Sequence, residues 1–307
     1  MGIIKKSNAQ LFLFVNAVLW GSSYVWSKML LGYLPRFTIL FLCSLGGLTA
    51  TMILCRRSIR TIDKKAVVPS VMISLFSILS NTFCMLALQY TGSSNTAFIV
   101  QMSLIITPLI MALVEKKLPE CKIMISAVIA LCGLFLLICD FETFRLNIGD
   151  LLALGNAVFF SLHIAGLRLN SKKVHPKHFT FIYYVTTTVV FFIMAGCFEM
   201  RWIAFQKLKT PIFPLLIAAS IFVAVTTIFI QSTAIKFVRP EKAVLLYTFE
   251  PLTALLLGFV FIGERPDGIK TIVGFIFILF SVLYTTYKPK VKQEPLRTER
   301  STKPLLE

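Results

Sequence analysis

Ten predominantly apolar stretches of membrane-crossing length, at 11–31, 37–54, 67–88, 96–114, 123–139, 151–167, 179–198, 212–235, 243–262 and 269–286, leave this chain few possible folds. A helix needs about 20 apolar residues to cross the hydrocarbon layer, and lipid offers the backbone no hydrogen-bond partners, so such stretches become helices. Composition agrees: 57% of the 307 residues are hydrophobic and 15% are charged, whereas ordinary soluble domains are about 25% charged. The expected fold class is an all-α integral membrane protein with ten transmembrane helices. The first stretch, preceded by Lys5 and Lys6, is too long for the core of a signal peptide, and no small-x-small cleavage site follows it.

The net charge of +17 follows from how the basic residues are distributed. Lys and Arg crowd the termini and every second gap between the stretches, while the other gaps hold only Arg36, Arg145, Arg201, Lys207, Lys209, Arg265 and Lys270. By the positive-inside rule this places both termini in the cytoplasm and supports an even number of spans. The charge therefore reports orientation, and no nucleic-acid partner is expected. The expected location is the plasma membrane, as a multi-pass protein of a bacterial inner membrane. Residues 288–307 are polar and rich in Lys, Pro and Thr, and read as a disordered cytoplasmic tail. An odd number of cysteines, seven, without a CxxC pair argues against a disulfide framework or a zinc site, and neither cofactor nor metal is expected.

The chain repeats itself. NAVLWGSSYVWSK (Asn16 to Lys28) corresponds to NAVFFSLHIAGLR (Asn156 to Arg168) at an offset of 140. ALQYTGSSN from Ala87 corresponds to AIKFVRPEK from Ala234 at an offset of 147, which also carries Pro119 to Pro266 and Ala127 to Gly274. The expected units are a first repeat over 1–139 and a second over 140–287. Each holds five spans, an odd number, so the second enters the membrane from the opposite side and the two repeats are inverted. Carriers built this way hold substrate near the midplane, where corresponding helices are interrupted by Gly or Pro. Pro108 and Pro251 mark the fourth and ninth spans, although the 147 offset sets Leu104 opposite Pro251 and Ser103 opposite Glu250.

Within the ninth span, YTFEPLTALLLGFVFIGE (Tyr247 to Glu264) holds a carboxylate and a proline. A charge at that depth costs several kcal/mol or more in lipid and must face protein or a wet cavity. Pro251 lacks a backbone donor and frees the carbonyl of Tyr247. At about 1.5 Å rise per residue, Glu250 lies about 11 Å from the cytoplasmic end of its span and His163 about 12 Å from the same face, so the two can be level.

WGSSYVWSK (Trp20 to Lys28), GDLLALGNAVFFSL (Gly149 to Leu162) and EPLTALLLGFVFIGERP (Glu250 to Pro266) resemble the EamA-type branch of the drug/metabolite transporter superfamily, over Leu11 to Tyr287. The resemblance implies a ten-helix carrier of two inverted repeats that moves small metabolites without ATP, commonly exporting amino acids or related compounds. One departure is ALVEKKLP at the end of the fourth span, where the counterpart of Glu264 is either Glu115 or missing.

The candidate substrate-binding residues are Glu250, Trp20, Tyr24, Gln101, Tyr247, His163 and Tyr183. A buried Glu near a His can exchange a proton or hold an ammonium group; alternatively, Glu250 only ties down the backbone opened at Pro251. The alternative for His163, and the favoured one, is a satisfied interior imidazole. Trp20 and Tyr24 share a helix face, and with Tyr183, Tyr184, Tyr247 and Trp26 they either line a pocket or pack. Asn81, Gln101 and Gln231 either bind a zwitterion or bridge helices. Lys28 is expected to snorkel and Asp150 to be an N-cap. Ala153, Ala157, Ser161 and Ala165 form a small-residue ladder suited to close helix packing. The expected partners are a small-molecule substrate, the bilayer, and a proton as candidate coupling ion. No phosphate loop, HExxH or GxSxG occurs, so an enzyme is not expected. The alternative reading is a membrane-embedded enzyme or receptor-like subunit acting through the basic loops.

Overall fold

A computed structural model describes residues 4–138, 147–199, 210–263 and 268–286. Among these, regular structure consists of helices alone: α1 (Ala9–Leu30), α2 (Arg36–Leu54), α3 (Arg56–Ile59), α4 (Lys64–Tyr90), α5 (Ser93–Val100), α6 (Ser103–Glu115), α7 (Cys121–Ile138), α8 (Ile148–Leu169), α9 (Pro176–Phe198), α10 (Ile212–Ala234), α11 (Pro240–Leu246), α12 (Phe249–Ile262) and α13 (Gly268–Thr286). Glu264 and the 288–307 tail lie outside the described residues.

The described residues contain seven helical stretches long and apolar enough to cross a membrane, two of which run through the α5–α6 and α11–α12 interruptions. The other three expected spans differ for identifiable reasons. Helix α1 has the length but carries Asn16, Ser22, Ser23 and Ser27, which dilute its hydropathy. In α7 and α13 the apolar portions, Cys121–Leu136 and Ile272–Thr285, are shorter.

Helix ends follow their capping residues. Asp63 accepts from the Lys65 N–H to start α4, and His175 accepts from the Lys177 N–H to start α9, where Pro176 supplies the fixed φ of a first turn. At α8 the N-cap is Asn147. Asp150 is its capping-box partner, accepting from the Asn147 N–H at 2.9 Å while its own N–H donates to Asn147 Oδ1 at 3.2 Å. The start of α2 is capped from far along the chain, because Glu199 accepts from the N–H groups of Phe37 and Thr38 and from the Thr38 hydroxyl.

Lys28 does not snorkel. Its Nζ donates to the Leu88 and Thr91 carbonyls, where a cation complements the C-terminal end of α4. Arg168 does the same at the end of α10, donating to the Ile235 and Lys236 carbonyls. The small residues Ala153, Ala157, Ser161 and Ala165 are buried, and α8 lies against α4. Helix α1 packs on α10 and α12, α8 on α4, α5 and α6, α2 on α9, and α7 on α13.

Candidate functional site

The site is built where two helices break. Helix α5 gives way to α6 at Gln101 and Met102, and α11 to α12 at Tyr247 and Thr248. Both breaks are tight turns with i→i+3 bonds, among them Leu104 N–H to Gln101 O and Glu250 N–H to Tyr247 O. The first break does not fall at Pro108, as the proline pattern predicts, but seven residues earlier. Pro108 withholds one donor and sits inside α6, whereas buried Gln101 and Ser103 lie at the break itself. The Tyr247 carbonyl that Pro251 cannot bond accepts from the Glu250 N–H at 2.9 Å and from Gln101 Nε2 at 3.1 Å.

Gly21 lets α1 run against this second break. A Cβ there would lie 2.6 Å from Thr253 Cβ and collide with the Glu250 carbonyl, so only glycine permits the approach. The close crossing sets Trp20, Ser23 and Tyr24 beside Glu250. Glu250 is 2% exposed; its Oε2 accepts a long hydrogen bond, 3.4 Å, from the Tyr24 hydroxyl, and its Oε1 has no partner among the described residues.

Glu250 lines a cavity of about 60 Å³ with Trp20, Ser23, Tyr24, Ser80, Asn81, Cys84 and Asn156. A second cavity of about 120 Å³ shares Trp20, Ser23 and Asn81 and continues along Ser27, Ser44, Tyr183, Tyr184, Ser220 and Thr227. Trp20 lines both. Its ring meets Phe160 and Tyr247 edge-on, with centroids 5.3 and 5.6 Å away, and these rings close one side.

Of the seven expected residues, Glu250, Trp20, Tyr24 and Tyr183 line the cavities. Gln101, Tyr247 and His163 stand behind them as supports. His163 is not paired with Glu250: its Nδ1 faces the Ile73 carbonyl and its Nε2 faces Gln231 Oε1, both at 3.1 Å. Gln231 in turn donates to the Tyr247 hydroxyl, which Asn16 also reaches, so buried polar side chains of several helices are joined in one network. Depth along a span says nothing of which way a side chain faces, and the partners on neighbouring helices hold the His163 ring away from Glu250. Tyr183 bonds Ser77 and Asn81. Trp26 packs on Phe261 and lines neither cavity.

Sequence reasoning did not single out Ser80, Cys84, Asn156, Ser44 or Ser220 as lining residues. Asn156 carried a usable signal, an amide inside an apolar span at the repeat position of Asn16; its Nδ2 donates to the Ser80 carbonyl at 2.8 Å. The serines and Cys84 carried none, since small polar residues in membrane helices usually bond their own backbone. Among the described residues, no group of three His, Cys, Asp or Glu comes together to hold a metal ion.

A buried carboxylate at a broken helix thus faces a partly open cavity lined by polar and aromatic side chains, with room for a small polar group. The model of the EamA-like transporter family matches residues 7–139 and again 147–287. The chain belongs to the EamA-like transporter family. This EamA-like transporter is thus a multi-pass membrane transporter of two family-matching segments. It is 22% identical over 280 residues to an uncharacterized transporter of Archaeoglobus fulgidus, an alignment covering 91% of this chain and 86% of that protein. It is 28% identical over 179 residues, 58% of each chain, to the uncharacterized transporter YwfM of Bacillus subtilis. A crystal structure of a protein 18% identical in sequence superposes with a TM-score of 0.73, covering 92% of this transporter and 97% of that chain, which establishes a shared fold.

Proposed function

We propose that this protein is a secondary carrier. It moves small metabolites, amino acids or related compounds, by alternating access and without ATP, exporting them across the plasma membrane. The observation that carries this reading is the buried Glu250 at the head of α12, which lines the cavity between α1, α4 and α8 with an Oε1 that has no partner among the described residues. Other buried oxygens, Asp150 Oδ1 and Glu241 Oε2 among them, are also without a partner among the described residues; what sets Glu250 apart is that it lines a cavity inside an apolar span, where a carboxylate is costly unless it serves a function. A proton is the candidate coupling ion, since the same carboxylate can carry one.

The ten-span reading with two inverted repeats is part of the proposal, and four correspondences support it. The helix breaks, α5 end to α6 start and α11 end to α12 start, match at an offset of 146, and the left-handed caps Lys116 and Gly263 match at 147. Lys28 with the Leu88 carbonyl repeats as Arg168 with the Ile235 carbonyl. The packing of α1 on α10 and α12 mirrors that of α8 on α4, α5 and α6, which is the pattern of a two-fold axis in the membrane plane. Two halves packed crosswise in this way can rock about the site. With the basic loops in the cytoplasm, both termini lie inside.

Purified protein in sealed vesicles free of ATP tests the reading. Labelled amino acids, amines and nucleosides are offered in turn. Movement of at least one above protein-free vesicles is expected, and no movement of any would contradict carriage.

A further inference from the structure

The two neighbouring cavities, which share Trp20, Ser23 and Asn81, have an asymmetric charge inventory. Among the described residues lining them, Glu250 is the only Asp, Glu, Lys, Arg or His. The remaining polar groups are neutral hydroxyls and amides such as Ser23, Asn81 and Asn156. The basic residues of α1 and α8, two of the helices lining the site, are committed elsewhere: Lys28, one turn beyond Tyr24, donates to the Leu88 and Thr91 carbonyls, Arg168 to those of Ile235 and Lys236, and His163 is held by the Ile73 carbonyl and Gln231. A ligand carboxylate or phosphate entering here would meet no cation and would add a second buried anion near the first, at a cost of several kcal/mol. An ammonium group, by contrast, meets the open Glu250 Oε1, and the Trp20 ring beside it favours a cation over its face.

We propose that the site takes a small organic monocation, an ammonium compound without a free carboxylate or phosphate. Its charged end neutralises Glu250, and its organic body extends past Trp20 and Asn81 into the larger cavity bordered by Tyr183 and Tyr184. The proposal rests on the carrier reading and narrows its substrate class: of the compounds related to amino acids, the decarboxylated amines fit and the zwitterions leave a carboxylate uncompensated.

The test uses full-length protein in sealed vesicles and two matched sets of labelled probes, one compact and one aromatic. The first set is choline, glycine betaine and 3,3-dimethylbutanoate; the second is tyramine, tyrosine and 3-(4-hydroxyphenyl)propionate. Protein-free vesicles supply the leak to be subtracted. The cation of at least one set should enter at least about tenfold faster than its zwitterion and anion, the ratio expected for one compensated against one uncompensated buried charge. Glu250→Gln should remove that preference and Glu250→Asp keep part of it. A zwitterion or anion that outruns its cation overturns the proposal and leaves the carrier reading standing. So does immobility of both cations while other metabolites move. A cation preference unchanged in Glu250→Gln overturns the assignment to Glu250. If no probe and no metabolite moves, the carrier reading falls and the proposal with it. Because the charge preference is read on the unaltered protein, poor folding of a variant does not obscure the result.

Discussion

Gln101 and Tyr247 are joined by one hydrogen bond, from Gln101 Nε2 to the Tyr247 carbonyl at 3.1 Å, which ties the interruption between α5 and α6 to that between α11 and α12. Gln101→Leu removes it. The carbonyl keeps the Glu250 N–H, so the loss should be moderate, about 1 kcal/mol. Thermal unfolding in detergent measures this, and transport should fall by more than stability alone accounts for, because only the packing of α5 on α12 and α6 on α11 would then couple the two breaks.

Gly21 sets the distance between α1 and α12. Gly21→Ala forces its new methyl onto Thr253 and the Glu250 backbone, an overpacking that costs about 1–3 kcal/mol, and transport should fall with it. Gly196, where an added methyl would have nothing within 4 Å, is the control. Gly196→Ala should match or exceed the parent in melting temperature.

His163 separates a supporting role from a binding one. His163→Ala strips partners from the Ile73 carbonyl and Gln231, at about 1–3 kcal/mol for the unsatisfied groups, and so lowers stability. Since His163 lines neither cavity, the folded fraction should keep a KM within about threefold of the parent. Trp20→Ala should also lose stability through its contacts with Phe160 and Tyr247, but unlike His163→Ala it should raise the KM of the folded fraction by about tenfold or more, because its ring lines both cavities.

His175, at the start of α9, gives a pH signature outside the site. Partial burial, and then the nearby Lys236, His178 and Lys177, hold its pKa below the ordinary 6.5. The neutral ring is the form that caps the helix by accepting from the Lys177 N–H. Its stabilising contribution is therefore complete above about pH 6.5 and is lost as pH falls through the depressed folded value. NMR titration of labelled histidine, assigned with His175→Asn, should show the His175 resonance moving at lower pH than a free imidazole.

Much of this was legible in the sequence, for physical reasons that differ by residue. Lipid forces apolar stretches into helices, so helix positions followed from hydropathy, and Glu250 stood out because a carboxylate in such a stretch needs a reason. Trp20 and Tyr24 followed from helical spacing. The role of Gly21 did not, because a close approach depends on which helix lies opposite, and hydropathy does not encode that. For the same reason the sequence gives His163 a depth but not a partner, and Lys28 reads as a side chain reaching for water when it caps α4. The helix break at Gln101 was hidden by Pro108, the more conspicuous signal.

The most direct test of the central claim compares the parent with Glu250→Gln in ATP-free vesicles, at matched protein content and matched elution from a sizing column. The account predicts that the parent moves substrate and that the variant, inserted and folded, moves it at least about tenfold more slowly. Parental transport by Glu250→Gln would contradict it.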